Sequence, residues 1–126
     1  MIINEKTIKP DYFTLTELIR TDTGINNMPC QSLVLSNIAR LWYILNCLRD
    51  EFGSAIIINS AYRSPQVNKA VGGVPNSLHM QGRAADIRTL PHLMDDLRLF
   101  LNGVREKHPN LFVEFIDNKT FFHIAI

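Results

Sequence analysis

LFVEFIDNKTFFHIAI, residues 111–126, is the stretch that decides the fold class. Two apolar runs, LFVEFI and FFHIAI, flank the polar DNKT, the pattern of a β-hairpin. With Asn118-Lys119 as a two-residue turn, Phe115 faces Phe122, Val113 faces Ile124 and Leu111 faces Ile126. Those pairs build one apolar face. On the other face Glu114 falls directly opposite His123, with Cβ atoms about 5 Å apart. A slip of one residue would scramble the apolar row, so the pattern itself argues for this register.

Upstream of the hairpin, AADIR (84–88) reads as a short strand and the β-branched AIIIN (55–59) as another, buried one. Between them Ser64 and Pro65 suit the N-cap and first position of a brief helix, QVNKAV, stopped by Gly72-Gly73. Pro91 opens a further helix with Leu93, Leu97, Phe100, Leu101 and Val104 along one side. The strongest periodic signal is Val34, Ile38, Leu41, Leu45, Leu48 and Phe52, at alternating intervals of four and three. It marks one face of a long helix ending at Gly53, with Trp42 beside the stripe and expected in the core. Thr14 to Glu17 (TLTE) is a capping box that starts a short helix to about Arg20. TDTGINNMP (21–29) is loop by its Gly, Asn and Pro content. No repeat or linker interrupts this order. The expected architecture is α+β: one domain over residues 1–126, an antiparallel sheet with an N-terminal helix and helices crossing it.

A chain of 126 residues can bury roughly two-thirds of its unfolded surface. Thirteen basic and twelve acidic residues nearly cancel, and no basic run would track a phosphate backbone, which argues against nucleic acid as a partner. Cys30 and Cys47 lack metal-site spacing and are expected as two buried, reduced thiols rather than a disulfide. The start, MIINEKTIKPDYF, carries Glu5, Lys6 and Lys9 where a signal peptide needs its apolar centre. No apolar run approaches the roughly 20 residues of a membrane span. A soluble, monomeric chain made in the cytoplasm, with no membrane insertion, is expected.

Among four histidines, His92 follows Pro91 at a helix start and His108 sits in the polar REKHPN loop, so both are expected at the surface. His79 lies in a Gly/Ser/Asn-rich loop leading into the strand of Asp86, and His123 projects from the polar face of the last strand. Two imidazoles and one carboxylate make a ligand set that suits zinc and leaves a fourth position for water. The His-x6-Asp spacing alone is equally that of a buried aspartate satisfied locally beside a surface histidine.

INSAYRSPQVNKAVGGVPNSLHMQGRAADI (58–87) resembles the central block of the zinc D-Ala-D-Ala peptidase family, closest to short single-domain members of bacteriophages and bacteria. The likeness rests on S-x-Y-R-S at 60–64, V-N-x-A-V-G-G at 67–73 and S-x-H-x-x-G-x-A-x-D at 77–86. FTLTELIRTDTG upstream and FFHIAI downstream extend it over nearly the whole chain. The resemblance implies a hedgehog-like, D-Ala-D-Ala-peptidase-like fold with His79, Asp86 and His123 as zinc ligands. It also implies a substrate contact near the scissile bond for Arg63, whose planar donor fork suits a carboxylate or a developing oxyanion. Ser77 resembles the family serine near the substrate, and is equally a turn serine bonding its own backbone. Gly72, Gly73 and Gly82 are expected to serve geometry.

The sequence departs from the family at Thr120, three residues before the last histidine, where many relatives carry the catalytic acid. Threonine is no base at neutral pH. The hairpin register offers Glu114 instead, with Asp117 at the turn as second candidate. The function this implies is a zinc peptidase that hydrolyses a peptide bond in peptidoglycan stem peptides. Carboxypeptidase action on terminal D-Ala-D-Ala and endopeptidase action within the stem both fit. Such an enzyme acts on the cell wall, and a phage lytic enzyme would reach it after release from the cytosol. Two alternatives stand beside it: a non-catalytic peptidoglycan-binding or structural domain, and a metal-free protein in which His79 and Asp86 form a local ion pair.

Overall fold

The computed structural model describes residues 11–115 and 120–126, so the Asn118-Lys119 turn and Asp117 lie outside the described residues. Thr14 caps the first helix, α1 (Leu15–Ile19). Its hydroxyl accepts from the Glu17 amide while the Glu17 carboxylate accepts from the Thr14 amide, the reciprocal bonds read from TLTE. Arg20 is already extended, so the helix stops one residue short of expectation.

The heptad-like stripe becomes α2 (Ser32–Phe52), closed by Gly53 in the left-handed conformation. Ile38, Leu41, Ile44, Leu45 and Leu48 along it are buried, each such side chain stabilising the fold by about 1.5–3 kcal/mol. Trp42 packs partly buried against the same core, and its indole N–H donates to the Phe13 carbonyl at 2.6 Å. Asn46, fully buried on this helix, accepts from the Tyr12 and Phe13 amides at 2.6 and 3.2 Å and donates to Trp42 O. The long helix thereby holds the segment before α1.

The sheet has four strands in the order β1-β2-β4-β3, all neighbours antiparallel: β1 (Ile57–Ser60), β2 (Ala84–Arg88), β3 (Phe112–Phe115) and β4 (Phe122–Ala125). The first strand begins two residues later than AIIIN suggests and carries an irregularity between Ile58 and Ser60. The β3–β4 register is the one the apolar pattern demanded: Val113 opposite Ile124, Phe115 opposite Phe122, Glu114 opposite His123. Leu111 and Ile126 lie just outside the ladder. Val113, Phe122 and Ile124 turn into the core with Ala85 and Ile87 of β2. α3 (Pro65–Ala70) starts at Ser64, whose hydroxyl accepts from the Val67 amide, as read. The segment at Pro91 forms a 3-10 turn (Pro91–Leu93) before the regular helix α4 (Met94–Lys107), which presents Leu97, Leu101 and Val104 to the core.

One expectation is corrected. Neither cysteine is in a disulfide, and Cys47 is buried on α2, but Cys30 is exposed. It stands in the loop just before Gln31, the N-cap of α2, outside the stripe that helix turns inward. Among the described residues no helix is long and apolar enough to cross a membrane.

Candidate metal centre

The alternation that points Val113, Ile124, Ala85 and Ile87 inward points their neighbours to the opposite face. There Ser60 pairs with Asp86, Asp86 with His123, and His123 with Glu114, so one row of polar side chains crosses all four strands. His79 joins the row from outside the sheet. It sits on a 3-10 turn (Leu78–Gln81) between α3 and β2, capped by the Ser77 hydroxyl, which accepts from the His79 amide at 3.2 Å. Gly82 ends that turn with φ +72°, and a Cβ there would stand 2.7 Å from Ile38 Cγ1 and 3.0 Å from Val34 O. Glycine is therefore what lets the turn press against α2 and aim His79 at the sheet.

His79, Asp86 and His123 each offer an atom that can bind a metal, all within 4.8 Å of one another, and among the described residues they form the cluster with this property. His79 Nε2 stands 3.3 Å from Asp86 Oδ1, and His123 Nδ1 stands 2.8 Å from the same oxygen. Tetrahedral ligands at zinc distances of about 2.0–2.1 Å are separated by about 3.3–3.4 Å; the His79–Asp86 separation already matches this and the His123–Asp86 one is shorter by about half an ångström, so these donors suit such an ion once His123 draws back slightly. The tautomer of His79 fits as well. Its Nδ1 lies 2.6 Å from the Ala61 carbonyl, an acceptor only, so Nδ1 carries a proton and Nε2 is the nitrogen turned toward Asp86, able to donate to the carboxylate when protonated and to bind a cation when not. His79 is buried and His123 half-buried, and their rings meet edge-on at 5.2 Å between centroids.

Burial alone would push the Asp86 carboxyl up. Hydrogen bonds from His123 and His79, and the charge on those rings, outweigh it and hold the carboxyl well below the usual carboxylate range. Its second oxygen is engaged too: Arg63 Nη2 donates to Oδ2 at 3.3 Å, which turns Oδ1 toward the two imidazoles. The rest of the Arg63 fork is held from behind. Nε donates to Ser60 Oγ at 3.0 Å, Nη1 reaches Asn68 Oδ1 at 3.5 Å, and the Arg63 amide donates to His79 O. A cleft of about 180 Å³ adjoins Arg63, lined by polar and apolar side chains alike, among them Arg20, Asn59, Ser60, Tyr62 and Val71.

The structure thus brings Arg63, His79, Asp86 and His123 together. Ser77 is buried at the edge of this group, with its hydroxyl oxygen accepting from the His79 amide. Glu114 is exposed, on the row directly beside His123. Thr120 is exposed ahead of β4. His92 is exposed on its 3-10 turn, and His108 is half-buried rather than fully at the surface; neither is in the cluster. Sequence reasoning missed Ser60 and Asn68 as holders of Arg63, and the Ala61 carbonyl as the partner of His79. It also missed Asn27, whose side chain accepts from the Ser64 amide at 2.6 Å and donates to Ile19 O and Tyr62 O, tying the 21–29 loop to the S-x-Y-R-S segment. Asparagines in loops carry no periodicity, so only the clustering of such residues around the motif could have signalled them.

A family model described as Peptidase M15 matches residues 11–125, all but the ends of the chain. A search of curated proteins found no match.

Proposed function

The chain belongs to the peptidase M15 family, and from that premise we propose that it is a zinc-dependent peptidase acting on the stem peptides of peptidoglycan. The observation that carries the reading is the convergence of His79, Asp86 and His123, from a 3-10 turn and two strands, to within 4.8 Å in a chain of this family. In this reading His79 Nε2, Asp86 Oδ1 and His123 Nδ1 hold the ion. Zinc in that position supplies a Lewis acid to the scissile carbonyl and brings the pKa of a water toward neutrality.

The protein's own groups do the rest. Arg63 keeps two of its five N–H donors after bonding Ser60, Asn68 and Asp86, and these serve the oxyanion that develops on the scissile carbonyl. Glu114, next to His123 on the site face, takes the proton of the attacking water and passes it to the leaving amine. Its exposure suits a group that must exchange protons with incoming substrate. Ser77 and the Ala61 carbonyl act on His79, the first through the backbone and the second through Nδ1. The cleft beside Arg63 gives room for substrate on that side of the scissile bond, in carboxypeptidase or endopeptidase mode.

The test is mass analysis of purified muropeptides after incubation with zinc-loaded wild type and Glu114→Gln. Cleavage by wild type and a loss of about 100-fold or more in the variant is expected for a general base. Undiminished cleavage by the variant would shift the role to Asp117, the other carboxylate of the hairpin. Cleavage by neither protein would favour a non-catalytic peptidoglycan-binding domain. Released D-alanine and severed internal bonds give different masses, so the same experiment identifies the bond.

A further inference from the structure

Arg63 is aimed by a side chain that the proposed chemistry does not use. Asn68, in α3, is nearly fully buried. Its amide nitrogen donates to Val74 O at 2.9 Å, and its side-chain oxygen faces Arg63 Nη1 at 3.5 Å. The backbone of the same residue accepts from the Gly73 amide at 2.9 Å, so the loop after α3 folds back over the asparagine. The closeness of that fold-back is set by Gly73. A Cβ on residue 73 would lie 2.7 Å from Asn68 Cγ, and nearer still to its Oδ1. Gly73 is not needed for an unusual φ, unlike its neighbour Gly72 at +74°. What it provides is the space occupied by the Asn68 amide.

We propose that Asn68, seated by the bare Cα of Gly73, is a positioning residue that fixes the guanidinium plane of Arg63 against Asp86 and the scissile bond. Three anchors surround the fork: Ser60 at Nε, Asn68 at Nη1 and Asp86 at Nη2. With two anchors left, the guanidinium can still touch Asp86 but swings as a plane about the Cδ–Nε bond, and its spare donors lose their aim. The sequence motif V-N-x-A-V-G-G thus acts on the site through Arg63, although neither Asn68 nor Gly73 belongs to the His79, Asp86, His123 cluster. The inference rests on the peptidase reading only for its effect on turnover; the effect on Arg63 itself is independent of it.

The experiment uses zinc-loaded full-length protein carrying Asn68→Ala, Gly73→Ala, both together, and Asn68→Asp, each also in an Arg63→Lys background. Two quantities are read: kcat and KM on a purified muropeptide, and the hydrogen-exchange rate of the Arg63 Nε–H by NMR in the proteins that retain the arginine. Asn68→Ala and Gly73→Ala should each lower kcat about tenfold with KM within about twofold, as expected for a misplaced transition-state group. Both should speed Arg63 Nε–H exchange. Asn68→Asp keeps an acceptor for Nη1 but loses the donation to Val74 O, so it should recover most of kcat while melting at lower temperature. Gly73→Ala should do no further harm once residue 68 is alanine, since the atoms it would strike are gone.

An unchanged Arg63 Nε–H exchange rate in folded Asn68→Ala overturns the proposal. So does an equal fall in kcat on removing Asn68 from the Arg63→Lys protein, where the fork is absent. Should Asn68→Ala fail to fold, Gly73→Ala carries the same two readouts. If wild type turns over no muropeptide while exchange still accelerates in the variants, the peptidase reading fails and the positioning of Arg63 stands.

Discussion

Zinc should stabilise this protein strongly, and the His123→Ala variant should lose that gain without losing the fold. The donors of the candidate centre come from the turn at His79, from β2 and from β4, with Asp86 and His123 37 positions apart in the chain. An unfolded chain does not hold them together, so the ion binds the native state alone. At free zinc 100 times its dissociation constant, linkage then adds about 2.7 kcal/mol. For a chain of this length that is a rise in Tm of about 10 °C. The variant must be chosen with care, because the two histidines differ. His79 is buried with its Nδ1 on the Ala61 carbonyl, so truncating it orphans an acceptor, opens a cavity and destabilises the metal-free protein by about 1–3 kcal/mol or more. His123 is half-exposed and its ring nitrogen bonds Asp86, which retains His79 and Arg63 when His123 is gone. His123→Ala should therefore melt within a few degrees of metal-free wild type and respond little to zinc.

The assay is differential scanning calorimetry of protein stripped by chelator and then titrated with zinc, the dissociation constant being measured independently by competition. A wild-type rise of less than about 2 °C under those conditions would refute the convergence argument, since binding specific to the folded site must appear as stability. An equal rise in His123→Ala would show that zinc binds, but elsewhere.

Two further substitutions test the scaffold around the site. Gly82→Ala forces a side chain into a left-handed residue and against the α2 backbone, and should destabilise by about 2 kcal/mol or more while weakening zinc binding through His79, measurable by urea denaturation and by metal competition. Asn46→Ala leaves the Tyr12 and Phe13 amides without their acceptor and should destabilise by roughly 2–4 kcal/mol, lowering the urea midpoint at unchanged m and leaving zinc affinity intact.

How much of this was legible in the sequence follows from which interactions leave a periodic trace. The α2 stripe and the Val113/Ile124 row are governed by burial, which repeats every three to four residues in a helix and every two in a strand, so both could be read and both are present. Register carried information further. Placing Glu114 opposite His123 needed only the hairpin's apolar alternation, and the pairing of β4 with β2 then extends that row to Asp86 and Ser60. That second pairing, strand order β1-β2-β4-β3, is a long-range choice with no local signature, and it was not foreseen. The start of β1 shifted for a related reason. Ala55 and Ile56 are apolar enough for a strand, but pairing with β2 begins only at Ile57 opposite Arg88, and Ala55 instead gives its carbonyl to the Thr89 hydroxyl. Cys30 misled because cysteine is usually buried, a preference of composition that says nothing of the loop it occupies. The least legible parts are the side-chain-to-backbone bonds of Asn27, Asn46, Asn68 and Ser77, which depend on which backbone group tertiary folding brings near. Those of Ser77 and Asn68 bear on the aim of His79 and Arg63. The chemistry-bearing residues could thus be named from motifs, while the groups that orient them could be found only where the chain comes together.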